Sequence, residues 1–404
     1  MKKRNNPLQF RDAFREDSSY KMFFLSLLIM GLAYGLYKGM LDNFLAEVVH
    51  VGEMDRGVIE FFRELPGVLI VLILAAFFMM SAESLYKMGA VIALVGMAMH
   101  AILPPGKVLI TLAICVYSLG EHIQIGMKST MALSYAKHDR GGEALGAQNA
   151  LNQIGTLAGY VILVVVFSVF AEHSKALYTP FFWLSTGLTA LAMVFSFAIR
   201  GTSKTDDSKR RFYFHKKYFK YYMLEMCYGA RKQVFFTFGP YVLILQYGAN
   251  AAVISLLFGL SAIVCFFTSP IVGRIIDKLG YKVVMVADTL ILVIVCFFYG
   301  FAHRIFPFHV AYIVCCVNYI LDAVISQASM ASNVYVKDLA DNQEEVKATI
   351  STGVSINHLI TIFIALCGGW IWKVLGIELL FIVSAVLGLC NSAYAATIKQ
   401  KSNV

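Results

Sequence analysis

Charged residues are scarce in this chain of 404 residues. They make up 15% of the sequence, whereas 59% of the residues are hydrophobic and the mean hydropathy is +0.69. A soluble protein is usually about 25% charged, so this composition excludes a soluble enzyme, a disordered protein and a nucleic-acid binder. The excess of apolar residues predicts a polytopic membrane protein.

Cysteines are absent from the polar segments. All eight cysteines lie in apolar runs, which excludes a disulfide framework and a zinc site. The H-E-x-x-H, G-x-S-x-G and Walker motifs are missing as well, so the sequence supports neither hydrolysis nor ATP drive. We therefore expect no enzymatic activity, no cofactor and no metal. The polar start of the chain does not resemble a cleavable signal peptide, so we expect the first helix to be retained.

Twelve apolar runs are long enough to cross a bilayer as helices, which takes about 20 residues each. They are longer than the roughly 10-residue strands of a membrane barrel, and none alternates apolar with polar residues. The runs are approximately 21–47, 55–80, 86–103, 107–135, 143–171, 177–200, 217–247, 251–272, 281–302, 307–335, 345–374 and 377–397. We predict an all-α membrane protein with an N-terminal six-helix bundle over 1–200, a cytoplasmic linker over 201–216 and a C-terminal bundle over 217–404.

The distribution of Lys and Arg predicts the orientation. With the N-terminus in the cytoplasm, 24 of the 34 basic residues fall in cytoplasmic segments and five in outer loops, Arg56 among the latter. Cytoplasmic loops of membrane proteins carry such an excess. We therefore expect both termini in the cytoplasm and a multi-pass protein of the plasma membrane. The bias also explains the net charge of +9 without nucleic acid.

The two halves of the sequence resemble each other at four places in the same order. The first-half and second-half partners are Tyr34-Gly35-x-x-Lys38 and Tyr228-Gly229-x-x-Lys232, Glu121 and Asp322, Asn152-Gln153 and Asn357-His358, and Lys87-Met88-Gly89 and Lys278-Leu279-Gly280. This pattern indicates a six-plus-six repeat with two pseudo-symmetric bundles. Such repeats place a substrate site near the midplane of the bilayer.

The segment Gly273–Lys282 resembles the signature loop of the major facilitator superfamily, G-x-x-x-D-[RK]-x-G-[RK]-[RK], and departs from it at Tyr281. The resemblance implies twelve helices in two bundles and secondary active transport by alternating access. It also implies that Arg274, Asp277 and Lys278 form a conformational latch. The Gly-Pro pair that many drug exporters of the family carry in the fifth helix is missing.

Five basic residues fall inside the predicted spans, and three of them are central. Lys38 lies in the first helix, and Arg231 and Lys232 lie in the seventh. If the repeat holds, Lys38 and Lys232 are symmetry mates, and two converging cations suit an anionic solute. The arrangement resembles the central cations of the sugar-phosphate antiporters. Alternatively, Lys38 pairs with Asp42 four residues later and has a structural role.

Titratable groups within the spans are candidates for proton coupling. Glu121 and His122 lie in the fourth helix and Asp322 in the tenth, and a carboxyl group among apolar side chains can hold a proton near neutral pH. Asp42 is a further candidate. The alternative is a salt bridge, of Glu121 with Lys38 or of Asp322 with Lys232.

The second helix carries charges on one face, Glu60, Arg63 and Glu64, which we interpret as an outer gate rather than a solute contact. Neutral or titratable side chains inside the spans either contact solute or bond between helices. The candidates for solute contact in this set are Tyr34, Asn152, Gln153, Tyr228, Gln233, Asn318, Asn357 and His358.

Together these features predict a secondary active transporter that moves a small polar, anionic organic solute with proton coupling. The expected partners are that solute, protons or another coupling ion, and membrane lipids, and we expect a monomer. One alternative is a proton-driven exporter of drugs or cationic compounds. A second is a membrane-embedded enzyme or sensor on the same fold.

Overall fold

Backbone that crosses a bilayer must satisfy its own hydrogen bonds, and long apolar runs therefore fold as helices. The computed structural model describes residue 14 and residues 19–77, 79–137, 140–171, 174–200 and 214–398. Its α-helices are α1 (Ser19–Glu47), α2 (Glu53–Ala76), α3 (Ala82–Ile102), α4 (Lys107–Tyr135), α5 (Gly141–Val169), α6 (Ser174–Phe197), α7 (Phe219–Tyr247), α8 (Ala251–Leu279), α9 (Tyr281–Ile305), α10 (Phe308–Ile325), α11 (Met330–Leu339), α12 (Gln343–Leu375) and α13 (Ile377–Ala396). Positions 201–213 of the linker predicted over 201–216 lie outside the described residues.

Helices α10 and α11 form one membrane span, Phe308–Leu339, interrupted by a 3-10 turn at Ser326–Ser329. Counting them as one, the described residues form twelve long helical segments, which confirms the predicted fold class. Ten of these segments are long and apolar enough to cross a membrane. The two that fall short are α2 and α7, because they carry the clustered charges described below.

The described residues divide into two compact units. The first comprises Met1–Leu41 and Leu69–Asp207. In this unit α3 packs against α4 and α6, and α4 packs against α5. The contact of α1 with α5 is made by backbone: a Cβ atom placed on Gly35 would lie 2.2 Å from the carbonyl oxygen of Thr156, and one on Gly155 would lie 2.1 Å from that of Leu28. Only glycine allows two helices to approach so closely.

The second unit comprises Asp42–Val68 and Ser208–Val404. In it α7 packs against α12 and α13, and α9 packs against α10 and α13. The C-terminal end of α1 and most of α2 belong to this unit. A Cβ atom on Gly57 of α2 would lie 2.3 Å from the carbonyl oxygen of Ala365 on α12, so these helices also meet through backbone.

Three of the four repeated motifs occupy matching helices in the two units, whereas the fourth does not. A Cβ atom on Gly229 of α7 would lie 2.8 Å from the side chain of Asn357 on α12, just as Gly35 of α1 faces Thr156 on α5. The match of Lys87-Met88-Gly89 with Lys278-Leu279-Gly280 is wrong. Gly89 lies inside α3, which begins after the capping residue Ser81, whereas Gly280, with φ of 83°, ends α8.

The segment that was read as a loop, Gly273–Lys282, is mostly helical. Helix α8 continues to Leu279, seven residues beyond the predicted end of its apolar run. The basic residues at 274 and 278 interrupt the run without breaking the helix, because Arg and Lys are good helix formers.

Candidate functional site

A chain of buried charges begins at the start of α2. Arg56 Nη2 lies 3.1 Å from Asp42 Oδ1, and Arg56 Nη1 lies 2.8 Å from Glu60 Oε2. Asp42 and Glu60 are fully buried, and Arg56 is only 2% exposed. Arg56 was expected in an outer loop and is instead a helical residue inside the protein. Taking these charges out of water is costly, so each depends on its partners.

The chain of charges continues along α2 to α12. Arg63 Nη2 lies 2.6 Å from Glu60 Oε1 and also pairs with Glu64. Glu64 Oε2 lies 2.8 Å from Nδ1 of His358, a residue that the sequence suggested for solute contact. The six side chains of this ion chain, Asp42, Arg56, Glu60, Arg63, Glu64 and His358, comprise three carboxylates and two guanidiniums. As a set they are neutral only when His358 is protonated.

Polar side chains of the second unit tie the α1–α2 hairpin to α7. Gln233 Nε2 donates to Glu60 Oε1 at 3.0 Å, and the Tyr241 hydroxyl donates to the carbonyl oxygen of Val51 at 2.8 Å. Asn43 Nδ2 donates to the carbonyl oxygen of Ala249 at 2.8 Å. Gln233 is 4% exposed. Its amide holds the ion chain in place.

The adjacent cations of α7 have different surroundings, because neighbouring residues on a helix point about 100° apart. Arg231 is 2% exposed, and its Nη2 donates to Asp288 Oδ2 on α9 at 2.6 Å. Counted from the start of each helix, the two residues differ in depth by only about 7 Å, which the long arginine side chain spans.

Lys232, in contrast, is exposed in the middle of α7. Its charge interacts with two carboxyl groups of the same unit, Asp322 on α10 and Glu225 about two turns earlier on α7. Both acids are at least nine-tenths buried. A charged lysine in the middle of a span is costly, and the two nearby acids compensate part of its charge.

The remaining predicted residues of the second unit contact backbone or each other. The Tyr228 hydroxyl donates to the carbonyl oxygen of Ser326 at 2.7 Å, at the start of the 3-10 turn. Asn357 Nδ2 donates to the carbonyl oxygen of Glu225 at 3.4 Å. Asn318 is buried and donates to Val314 of its own helix.

In the first unit, the predicted residues gather where α4 meets α5. Lys128 Nζ donates to Asn152 Oδ1 at 3.5 Å, and Glu121 lies close enough for its charge to act on Lys128. His122 Nδ1 lies 2.8 Å from the carbonyl oxygen of Ser118, one turn earlier. A cation, an acid and an amide thus share one polar patch.

Other predicted residues are exposed or partly buried. Tyr34 and Lys38 lie one turn apart on α1 and are half-buried, whereas Gln153 on α5 is exposed. At the end of α8, Arg274, Asp277 and Lys278 are all exposed. Arg274 Nε donates to the carbonyl oxygen of Pro270, and the described residues contain no ion pair among these three side chains.

Sequence reasoning missed Arg56, Asp288, Tyr241 and Asn43. The spacing of Arg56 and Glu60, four residues apart, was a usable signal, since such pairs stabilise one face of a helix. It was overlooked because the predicted apolar run starts at 55, which puts Arg56 at its edge. The tyrosine and asparagine gave no signal, because both bind backbone atoms that lie far away in sequence.

A profile of the Major Facilitator Superfamily matches residues 23–317 and 221–401. A comparison with curated proteins finds no significant match. Among solved structures, the nucleoside transporter NupG is similar, with a TM-score of 0.73 at 15% identity over 95% of this chain and 100% of that one. A POT family transporter in complex with 5-aminolevulinic acid is similar too, with a TM-score of 0.69 at 11% identity over 92% and 94% of the two chains. At such identities the likeness concerns the fold.

Proposed function

The chain belongs to the major facilitator superfamily, and on that premise we propose that it carries a small polar, anionic organic solute with proton coupling. Membership makes the protein a multi-pass membrane transporter and not an enzyme. We further propose that it acts as a monomer in the plasma membrane, with both termini in the cytoplasm. Alternating access then exposes the solute site to one side of the membrane at a time.

The observation that supports an anionic solute is the division of roles between Arg231 and Lys232. Arg231 is neutralised inside the protein by Asp288, so we do not propose it as a solute ligand. Lys232 is exposed at mid-span and retains the capacity to bind a negative group. Lys38 occupies the repeated position on α1, and we propose that both lysines contact the solute, as point charges that suit a carboxylate or phosphate.

Replacing Lys38 or Lys232 with alanine tests this role. Each change is expected to weaken binding of an anionic solute at least about tenfold, which corresponds to about 1.4 kcal/mol for the lost charge contact. The measurement is solute-induced thermal stabilisation of purified protein, since a ligand of the folded state stabilises it in proportion to its occupancy. Lys373→Ala, an exposed lysine near the end of α12, is the matched control. Wild-type affinity in both lysine variants would contradict the proposal.

Proton coupling is the second part of the proposal, with Glu121 and Asp322 at equivalent positions of the repeat. Asp322 lies among cations, and Glu121 lies beside Lys128. A carboxyl group that alternates between a cationic partner and a proton can link proton uptake to movement. His122, one residue from Glu121, and Asp42 in the ion chain are secondary candidates.

Neutralising the carboxyl group that carries the proton separates solute exchange from solute accumulation. In Glu121→Gln or Asp322→Asn, we expect solute exchange in proteoliposomes to persist and accumulation driven by a pH gradient to be lost. Exchange needs only a loaded site that reorients, whereas accumulation also needs proton release. Glu143→Gln, at an exposed acid, is the control. If both variants still accumulate solute in response to a pH gradient, neither Glu121 nor Asp322 carries the proton.

A cation exporter is the second candidate, because two buried acids, Asp322 and Glu225, lie near the single exposed lysine of α7. This arrangement offers negative charge to a cationic solute. The lysine variants discriminate the two candidates: they weaken binding of an anion, whereas they leave binding of a cation unchanged or strengthen it by removing repulsion.

A further inference from the structure

The C-terminal half of α8 carries an open groove. Five residues of the one helix line it, with a volume of about 550 Å³: Ile271, Arg274, Ile275, Lys278 and Leu279. Their spacing places all of them on one face, since residues three, four, seven and eight apart follow one stripe of a helix. The groove therefore combines three aliphatic side chains with two cations.

The polar part of the groove is positive. Both Arg274 and Lys278 are exposed, and neither forms an ion pair with an acid in the part of the chain that the structure describes. Asp277 is also exposed, but it is not among the residues that line the groove. The groove thus offers two cationic side chains about one helical turn apart, which fits a single phosphate group.

The apolar part continues toward the middle of the helix. Ile271, Ile275 and Leu279 are 48%, 41% and 52% exposed, and Phe267, four residues before Ile271, is 67% exposed. A spanning helix presents such a stripe to acyl chains. Phe267 lies near the middle of α8, and its distance to Lys278 is about 16 Å along the axis, close to the thickness of one leaflet of the hydrocarbon core, about 15 Å. A spanning α8 centred on the bilayer therefore brings the two cations to the depth of lipid headgroups.

We propose that this groove binds an anionic phospholipid. Its phosphate contacts Arg274 and Lys278, and one acyl chain follows Ile275, Ile271 and Phe267 toward the bilayer centre. Basic side chains at this depth attract negatively charged lipids, and long cationic side chains extend along apolar surface to reach the headgroup level. A free phosphate ion would leave the aliphatic stripe unused, which is why the occupant is a lipid.

The test is a titration of detergent-purified protein with phosphatidylglycerol, phosphatidylcholine or inorganic phosphate, read as the midpoint of thermal unfolding. Phosphatidylglycerol is expected to raise the midpoint more than either of the others. The Arg274→Gln/Lys278→Gln double variant should lose at least half of that difference. Arg274→Lys/Lys278→Arg should retain it. The matched control is Lys282→Gln/Lys337→Gln, which removes two basic residues outside the groove.

Several results would overturn the lipid site. They are an unchanged phosphatidylglycerol effect in the Arg274→Gln/Lys278→Gln variant, an equal loss in the control, and equal stabilisation by phosphatidylcholine or phosphate alone. If the glutamine variant does not fold, native mass spectrometry of the wild type decides. One phosphatidylglycerol retained against competing phosphatidylcholine supports the site, and equal retention of the two lipids overturns it.

Discussion

Replacing Arg56 with methionine is expected to lower the free energy of unfolding by about 3–5 kcal/mol. Arg56 is the only cation that contacts both Asp42 and Glu60 among the described residues, and both acids are fully buried. Removing the guanidinium leaves Asp42 without this ion pair and Glu60 with Arg63 as its one cationic partner among the described residues. Methionine retains most of the side-chain volume, so the loss reports the charge and not a cavity. The measurement is the midpoint of unfolding of the purified protein in detergent.

The control for Arg56 is Arg140→Met, which breaks the ion pair of Arg140 with Glu143, 34% and 55% exposed. Pairs in contact with water contribute about 0–1 kcal/mol, so this variant should unfold close to the wild type. A triple variant, Asp42→Asn/Arg56→Met/Glu60→Gln, should recover part of the lost stability, because neutral partners no longer need compensation. If Arg56→Met and Arg140→Met have the same unfolding midpoint, the ion chain does not stabilise the hairpin.

Replacing Gly155 with alanine is expected to lower the free energy of unfolding by about 3 kcal/mol or more, the upper part of the range for overpacking. The new Cβ atom would lie 2.1 Å from the carbonyl oxygen of Leu28. Backbone cannot rotate away as a side chain can, so α1 and α5 would have to separate along their whole crossing. The yield of monodisperse protein in gel filtration and the unfolding midpoint both measure this loss.

Gly146 on the same helix provides the matched control. No atom lies within 4 Å of a Cβ atom placed there, so Gly146→Ala should be neutral or stabilise the helix by up to about 1 kcal/mol. The two variants make the same chemical change on α5 and differ only in the space around them. Equal behaviour of the two would mean that the backbone contact of α5 with α1 does not hold the first unit together.

Much of the fold could be predicted because hydropathy is a local property. The run predicted at 21–47 corresponds to Ser19–Glu47, and the run predicted at 377–397 corresponds to Ile377–Ala396. The interruption of the tenth segment at Ser326–Ser329 could not be predicted, because this stretch contains neither proline nor glycine. The carbonyl oxygen of Ser326 accepts a hydrogen bond from the Tyr228 hydroxyl, a partner 98 residues away.

The sequence predicted which residue types form the candidate site better than it predicted which of those residues pair with each other. The sequence shows two adjacent cations, Arg231 and Lys232, in the middle of a span. Because adjacent helical residues face different ways, it also predicts that the two have different surroundings. Which of the two is neutralised depends on where α9 places Asp288, and no local pattern contains that information. His358 is a similar case, since its contact with Glu64 joins residues that are 294 positions apart.

The ion chain of α2 has a consequence for biosynthesis. Five of its six members, Asp42, Arg56, Glu60, Arg63 and Glu64, lie within one hairpin and can pair with one another as soon as that hairpin leaves the ribosome. The stabilising contact from His358 arrives 294 residues after Glu64. At about 5–20 residues per second, this is a delay of about 15–60 s. The early pairing stabilises the charged hairpin in the membrane before α7 and α12, which contact it in the folded protein, have been synthesised.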